Sequence, residues 1–453
     1  MKVTLKNGFY LLSFSILVGI MASCLGNDTY DDEYSVTDAE LLSFSLSSDS
    51  VPSLDSVIFS IDQRTEPGLI YNYDSMAYQT VIKDKVIITY LSGTGSTNVL
   101  NITNGDSTWV ASGDSIDISQ PLTLRVYAMD GKTTKLYTVN LNIHQVDPDS
   151  TQYHPVASGL PFLQTEETKT LVFNGRFLTY SKIDNQIQLN SSPDAVNWTS
   201  EGVSGLPANA VIRGIQSNGT QLFAYTDDGE LYVRYDLSID QWVQVNTPPA
   251  VQVRSILGYK NASPGQPEGL SMVIETGGVY TFAFMTDVDQ WTYDASNPVP
   301  DDFPLYNFST YSYEVMLFQR ISIFGGTSSD GVVRNAVWST ENGLYWAKLT
   351  TDGVNVFPPL DGANIFYFNN EFWLINGKSD DGFNKDAYYS MDGGVTWLIR
   401  PEKNQMPGDY TPRYNASLVM SGDNKSFYII GGKQSAVLPE VWNGFVNKMQ
   451  FEH

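Results

Sequence analysis

The chain has 453 residues, 50 acidic and 26 basic, for a net charge of −24. A field of that sign repels phosphate backbones and anionic head groups, so nucleic acid is excluded as a partner and membrane attachment has to come from acyl chains. A hydrophobic content of 42% with 13% aromatic residues excludes global disorder, and the length suffices for two or three domains.

Residues 1–23 read as a signal peptide. Lys2 and Lys6 precede an apolar run from Gly8 to Met21, and "MASC" then leads into Cys24. The run is too short and wrongly flanked for a stable spanning helix. Cys24 is the only cysteine, so it cannot form an intrachain disulfide. Small residues placed just before it resemble a bacterial lipoprotein signal, which implies lipidation at Cys24 and attachment to the outer membrane. Residues 24–35 form an acidic tether. Asp31, Asp32 and Glu33 behind the cysteine resemble the surface-export signal of Bacteroidota lipoproteins, implying an orientation toward the extracellular side.

Residues 36–147 read as a first β domain. "LLSFSLS" (Leu41 to Ser47) alternates at period two, and "SVIFSID" and "KVIITYL" have the same character. The clearest hairpin runs from Leu122 to Ala128, turns at Asp130-Gly131, and returns from Lys135 to Ile143. Leu122, Leu124, Val126 and Ala128 share one face. About six or seven strands without a helical period suit a sandwich. The stretch resembles the immunoglobulin- and cadherin-like modules of Bacteroidota lipoproteins, which implies a stalk. Residues 148–152 read as a linker.

Residues 153–453 repeat. "GGTSSDGVVRNAVWSTENGLYW" (Gly325 to Trp346) aligns without gaps to "NGKSDDGFNKDAYYSMDGGVTW" (Asn376 to Trp397), 51 residues on. A third copy, "SFYIIGGKQSAVLPEVWNGFVNKMQF", has a loop two residues shorter before Trp442. Weaker copies end at Trp198, Trp242 and Trp291. With Trp346, Trp397 and Phe451 the unit ends are spaced 44, 49, 55, 51 and 54 residues apart. Units of this length, each built as strand–Gly–strand–turn–Trp, predict a six-bladed β-propeller. Tyr153 repeats the blade-end pattern 45 residues before Trp198, so either Tyr153 to Ala157 completes the last blade, the reading favoured because it protects the edges, or the carboxyl terminus does so alone. The fold expected is all-β: an Ig-like β-sandwich followed by this propeller.

The doubled glycines and closing tryptophans resemble Kelch repeats. "SMDGGVTW" (Ser390 to Trp397) resembles the Asp-box of sialidases and many other propellers. Its chemistry is local, with side-chain oxygens accepting from turn amides. In "STENGLYW", Glu341 stands where the aspartate is, and "SSPDAVNW" lacks the glycine. The box therefore marks fold and not activity.

Arg213 ("NAVIRGI"), Arg254 ("AVQVRSI") and Arg413 ("DYTPRYN") each follow a Pro-containing crossover and begin what is expected to be an innermost strand. There they converge on one axial mouth as a positive focus, suited to bidentate binding of carboxylate. The alternative is pairing with carboxylates or carbonyls between blades. The Phe-Arg-Ile-Pro motif of sialidases is missing from the propeller's start, where "LQTEETKTLVF" stands. His144, His154 and His453 sit in or beside linkers or at the end, unsuited to a metal triad or a Ser-His-Asp arrangement. No catalytic residue, metal site or cofactor is therefore assigned.

The whole resembles two-domain Bacteroidota lipoproteins. It implies a monomeric, non-enzymatic surface protein whose propeller face binds a glycan or protein. A propeller glycoside hydrolase or lyase, and a scaffold subunit of an outer-membrane uptake complex, are the alternatives.

Overall fold

The computed structural model describes residues 37–447 except 84, 95–97, 106, 166–167, 236–240, 351–354 and 423–425. The signal segment 1–23, Cys24, the tether 24–35, Phe451 and His453 lie outside the described residues. The chain divides into two compact units between Asp147 and Pro148. Both are all-β, with no α-helix among the described residues.

In the first unit, nine strands form two sheets around one core. The larger sheet runs, in spatial order, Phe59–Asp62, Gly68–Asn72, Thr134–Asn140, Leu122–Tyr127, Asn98–Asn101 and Thr108–Val110. The smaller runs Leu41–Ser47, Val86–Gly93 and Ser115–Ile116. Gly68–Asn72 pairs with Thr134–Asn140 in parallel. The strand count exceeds the six or seven expected because several strands are only two to four residues long, too short to show periodicity. Leu122, Leu124 and Val126 are buried while the residues between them are not, so period-two alternation did identify the core face. The hairpin turn forms as its sequence demands. Asp130 accepts from the amides of Lys132 and Thr133 at 2.8 Å, and Gly131 takes φ +66°.

The second unit is a six-bladed propeller. Blade I comprises Thr168–Phe173, Arg176–Ile183, Gln186–Ser192 and Thr199–Glu201. Blade II comprises Ile212–Ser217, Leu222–Thr226, Leu231–Arg234 and Val243–Gln244. Blade III comprises Val251–Lys260, Gly269–Thr276, Val279–Asp287 and Gln290–Pro298. Blade IV comprises Ser309–Val315, Phe318–Phe324, Val337–Thr340 and Ala347–Lys348. Blade V comprises Asp361–Phe368, Glu371–Ser379, Tyr388–Ser390 and Leu398–Ile399, with Gly382–Phe383 added beside its second strand. Blade VI takes Ser417–Met420, Ser426–Ile430 and Glu440–Asn447 from the carboxyl end, and Ser150–Ser158 from the start of the unit as its outermost strand. Ser150 to Gln152, linker-like in composition, are thus the first residues of this closing strand.

Each blade packs on both faces, which explains its sequence. Second strands such as Leu222–Thr226 are buried along their whole length and read as continuous apolar runs rather than alternating ones. A separate hydrophobic cluster fills each of the six junctions between neighbouring blades. The repeat-ending tryptophans sit in these junctions. Trp242 meets Tyr180 of the preceding blade at 5.7 Å, and Trp397 lies between Phe324 and Phe357 at 5.8 and 5.1 Å.

The Asp-box is a turn between third and fourth strands. Asp392 accepts from Ser390 Oγ and from the amides of Val395 and Thr396, while Trp397 Nε1 donates to the Gly394 carbonyl at 2.9 Å. Blades I and IV build the same device around Asp194 and Asn342. In blade IV the capping residue is Asn342 and not Glu341, which the ungapped alignment placed opposite Asp392. The turn is shifted by one residue, and Glu341 pairs instead with Arg320.

Candidate functional site

The leading ends of all six innermost strands line one axial cavity of about 670 Å³. By the up-and-down order of the strands, the Asp-box turns lie at the opposite end of the blades.

The wall of this cavity has two unlike arcs. On the side of blades IV, V, VI and I, polar side chains stitch neighbouring innermost strands together. Thr170 N donates to Ser417 Oγ at 2.9 Å, and Asn364 Nδ2 donates to the Ala416 carbonyl at 2.8 Å. Ser309 Oγ donates to the Ala363 carbonyl at 2.5 Å. These groups hold the ring. On the side of blades I, II and III stand Lys169, Arg213 and Arg254.

The three cations differ in their partners. Arg254 is half-buried and donates through Nε to Glu275 at 2.6 Å, and its Nη2 also reaches Gln252 Oε1. Arg213 is exposed to the cavity, and Lys169 is partly buried within it. Neither makes a hydrogen bond or ion pair with another described residue. Desolvation pushes the Lys169 ammonium below the usual lysine range, and the neighbouring Arg213 charge pushes it the same way. Tyr225 also lines the wall, near Arg213 and Arg254. Burial raises its phenol above the ordinary tyrosine value, against the opposing pull of Arg213 and Arg254. Tyr225 also packs on Gly214, where a Cβ would come within 2.6 Å of its ring.

Among the described lining residues Asp227 carries the single carboxylate, and it already accepts from the Val211 amide at 2.8 Å. The lining therefore holds three cations against one acid. The carboxylate pair used in most glycoside hydrolysis is not among its described residues. Nor do the described residues include a group of three or more His, Cys, Asp or Glu able to hold a metal ion.

Of the three arginines singled out in the sequence, the structure brings Arg213 and Arg254 together and leaves Arg413 out. Arg413 precedes the innermost strand Ser417–Met420 and lies in the crossover, fully buried. It donates to the carbonyls of Thr411 and Gly431 at 3.0 and 3.1 Å and to Glu440 at 2.5 Å, with Tyr410 stacked 4.4 Å away. Its role is to join crossover and blade, the alternative that sequence reading had left open. The second residue of blade VI's innermost strand is Leu418, where blade II has Arg213. Lys169 went unnoticed in the sequence, although it holds that same second position in blade I.

Comparison with known proteins gives a family. No curated protein matches the chain. A solved structure described as "Structure of YjhT" is similar over 62% of this chain and 95% of that one, at 12% identity and a TM-score of 0.44. Residues 147–453 match the model of the DUF6242 beta propeller domain, and residues 31–141 match that of the DUF6242 N-terminal domain, a domain of unknown function. The chain belongs to the DUF6242 family.

Proposed function

We propose that this is a lipid-anchored, outward-facing surface protein that binds an anionic ligand, such as the acidic terminus of a glycan, in the axial cavity of its propeller. The observation that carries the reading is the pair Lys169 and Arg213. They are neighbouring cations facing one cavity with no ion pair to another described residue, on a chain of net charge −24. Like charges held together out of bulk water are costly unless an anion completes them. Arg213 suits a carboxylate because its fork donates two parallel hydrogen bonds. In this reading the N-terminal unit is an Ig-like spacer, Cys24 carries the lipid, and the protein is monomeric.

The test is a glycan array probed with the full chain in detergent micelles, at two salt concentrations. Acidic glycans are expected to bind and neutral ones not, with affinity falling as salt rises. Arg213→Ala is expected to weaken binding at least tenfold. Equal binding by that variant, or no preference for acidic glycans, overturns the reading.

A further inference from the structure

We propose that Lys169 captures a carbonyl group of the anionic ligand as an imine, while Arg213 holds the ligand's carboxylate beside it. The inference rests on the anion-binding reading above and names the ligand class more narrowly, as a carboxylate with a neighbouring aldehyde or ketone. A 2-oxo acid is the simplest member.

The argument begins with the asymmetry between the two side chains. A guanidinium keeps its proton in proteins, whereas an ammonium can release one. Where the two meet with no ion pair to a described carboxylate, the lysine is the group that relieves the repulsion. Enclosure in the cavity acts in the same direction. Desolvation together with a neighbouring cation is the arrangement that makes a lysine's nucleophilic lone pair more readily available. A purely electrostatic anion contact has no need of this; a second arginine would serve it better.

The lysine is also held on a rigid base. It lies in Thr168–Phe173, opposite Tyr180 of the next strand. The adjoining residue, Thr170, is tied to blade VI through Ser417 Oγ and to its own blade through Thr179 Oγ1, both at 2.9 Å. A nucleophile on a braced strand keeps its position relative to Arg213 on the next blade. The lining offers no second free amine: Lys169 is the one lysine among the cavity's described residues.

The chemistry balances without an oxidant or reductant. Lys169 Nζ attacks the carbonyl carbon, the C–N bond forms, and the carbonyl π pair moves to oxygen. That oxygen takes up in turn the two protons the nitrogen gives up; the C–O bond then breaks as the nitrogen lone pair forms the C=N bond, and water leaves, which gives the imine. Hydrolysis reverses each step, so the capture is reversible.

The experiment treats the full chain in detergent micelles with pyruvate and sodium cyanoborohydride, which reduces an imine to a stable secondary amine. Intact mass and peptide mapping follow. One adduct is expected, on the peptide that contains Lys169. Lys169→Arg should carry none, Arg213→Ala should be labelled at least tenfold less at low pyruvate, and Lys182→Arg should be labelled as the parent is. Labelling spread evenly over surface lysines, or equal labelling of Lys169→Arg, overturns the proposal. If pyruvate or an acidic glycan raises the thermal midpoint but leaves no adduct, imine capture is overturned and the anion site stands. If the parent protein shows neither a shift nor an adduct and no acidic glycan binds, the anion-binding reading fails and this proposal with it.

Discussion

Arg413 and Glu440 face each other at 2.5 Å, the arginine wholly buried and the glutamate also accepting from Trp442 Nε1 at 3.0 Å. Removing the arginine leaves that carboxylate without its cation and two carbonyls without the guanidinium donor. Arg413→Ala is expected to cost about 3–5 kcal/mol of folding stability, the range for breaking one side of a buried pair. Arg213→Ala, with no hydrogen-bond or ion-pair partner among the described residues to orphan, should change stability by less than about 0.5 kcal/mol. Urea unfolding of the two variants checks this. A similar loss in both would remove the distinction between a structural arginine and a free one.

Arg254 gives a test of sign. Its charge is partly cancelled by Glu275 at 2.6 Å, both groups being roughly three-quarters buried. Neutralising the acid with Glu275→Gln keeps the shape and raises the positive potential of the cavity. Affinity for an acidic ligand should then increase, by about fivefold if the pair is worth about 1 kcal/mol. Arg254→Ala should change affinity in the opposite sense. Calorimetric titration with one acidic ligand decides, and a Glu275→Gln variant that binds more weakly would show that Glu275 itself contacts the ligand.

These predictions turn on residues that sequence reading placed unequally well. Blade ends were legible because a tryptophan such as Trp397 fills a junction between two aromatic neighbours and few other side chains can, so it recurs at blade spacing. Closure by the strand containing Tyr153 was legible for the same reason: its ring meets Phe427 at 5.9 Å in the last junction. Arg413 misled because an arginine that follows a Pro-containing crossover looks alike in sequence whether it reaches the axis or folds back under the crossover. Lys169 was missed because "EETKTL" reads as a solvated strand edge. Its position became meaningful only once Thr168–Phe173 was seen to be innermost. Glu341 was misplaced because ungapped alignment cannot show that a turn has shifted by one residue.

That shift is measurable. Asn342 caps the amides of Leu344 and Tyr345, and Asp392 caps those of Val395 and Thr396. Replacing either with Ala is expected to cost about 1–2 kcal/mol, as for other lost caps. Glu341→Ala breaks only a half-exposed pair with Arg320 and should cost at most about 1 kcal/mol. Urea unfolding of the three variants would count against this geometry if Glu341→Ala proved the most damaging.

Lys169 also ties stability to pH. The fold disfavours its ammonium, so its pKa is lower in the native than in the unfolded state, where the ordinary value is 10.5. Between the two values the unfolded chain binds more protons, and stability rises with pH across that window. Below the native value the destabilisation is fully present. Lys169→Met should therefore be more stable than the parent at acid and neutral pH, with the gap closing as pH approaches 10.5. Other titrating groups are common to both proteins and cancel in the difference. Thermal midpoints of the pair across pH test the sign; a gap that widens toward alkaline pH would mean the fold favours the charged lysine.

Closure of the ring makes the strand Ser150–Ser158 indispensable. It pairs along Glu440–Asn447, from Ser150 opposite Asn447 to Ser158 opposite Glu440. Without it that strand becomes an exposed edge and Phe427 loses the Tyr153 ring. The effect should be cooperative, since opening the circle at one of its six apolar junctions uncovers a face of each of the two blades that met there and loosens their hold on the next. A chain beginning at residue 160 is expected to aggregate or to lack a cooperative transition, whereas one beginning at Pro148 should melt in a single step. Supplying residues 148–158 as a separate peptide should restore part of the lost transition, because strand pairing needs no covalent continuity. A chain from residue 160 that melts cooperatively on its own would show that the carboxyl-terminal strands close the ring unaided.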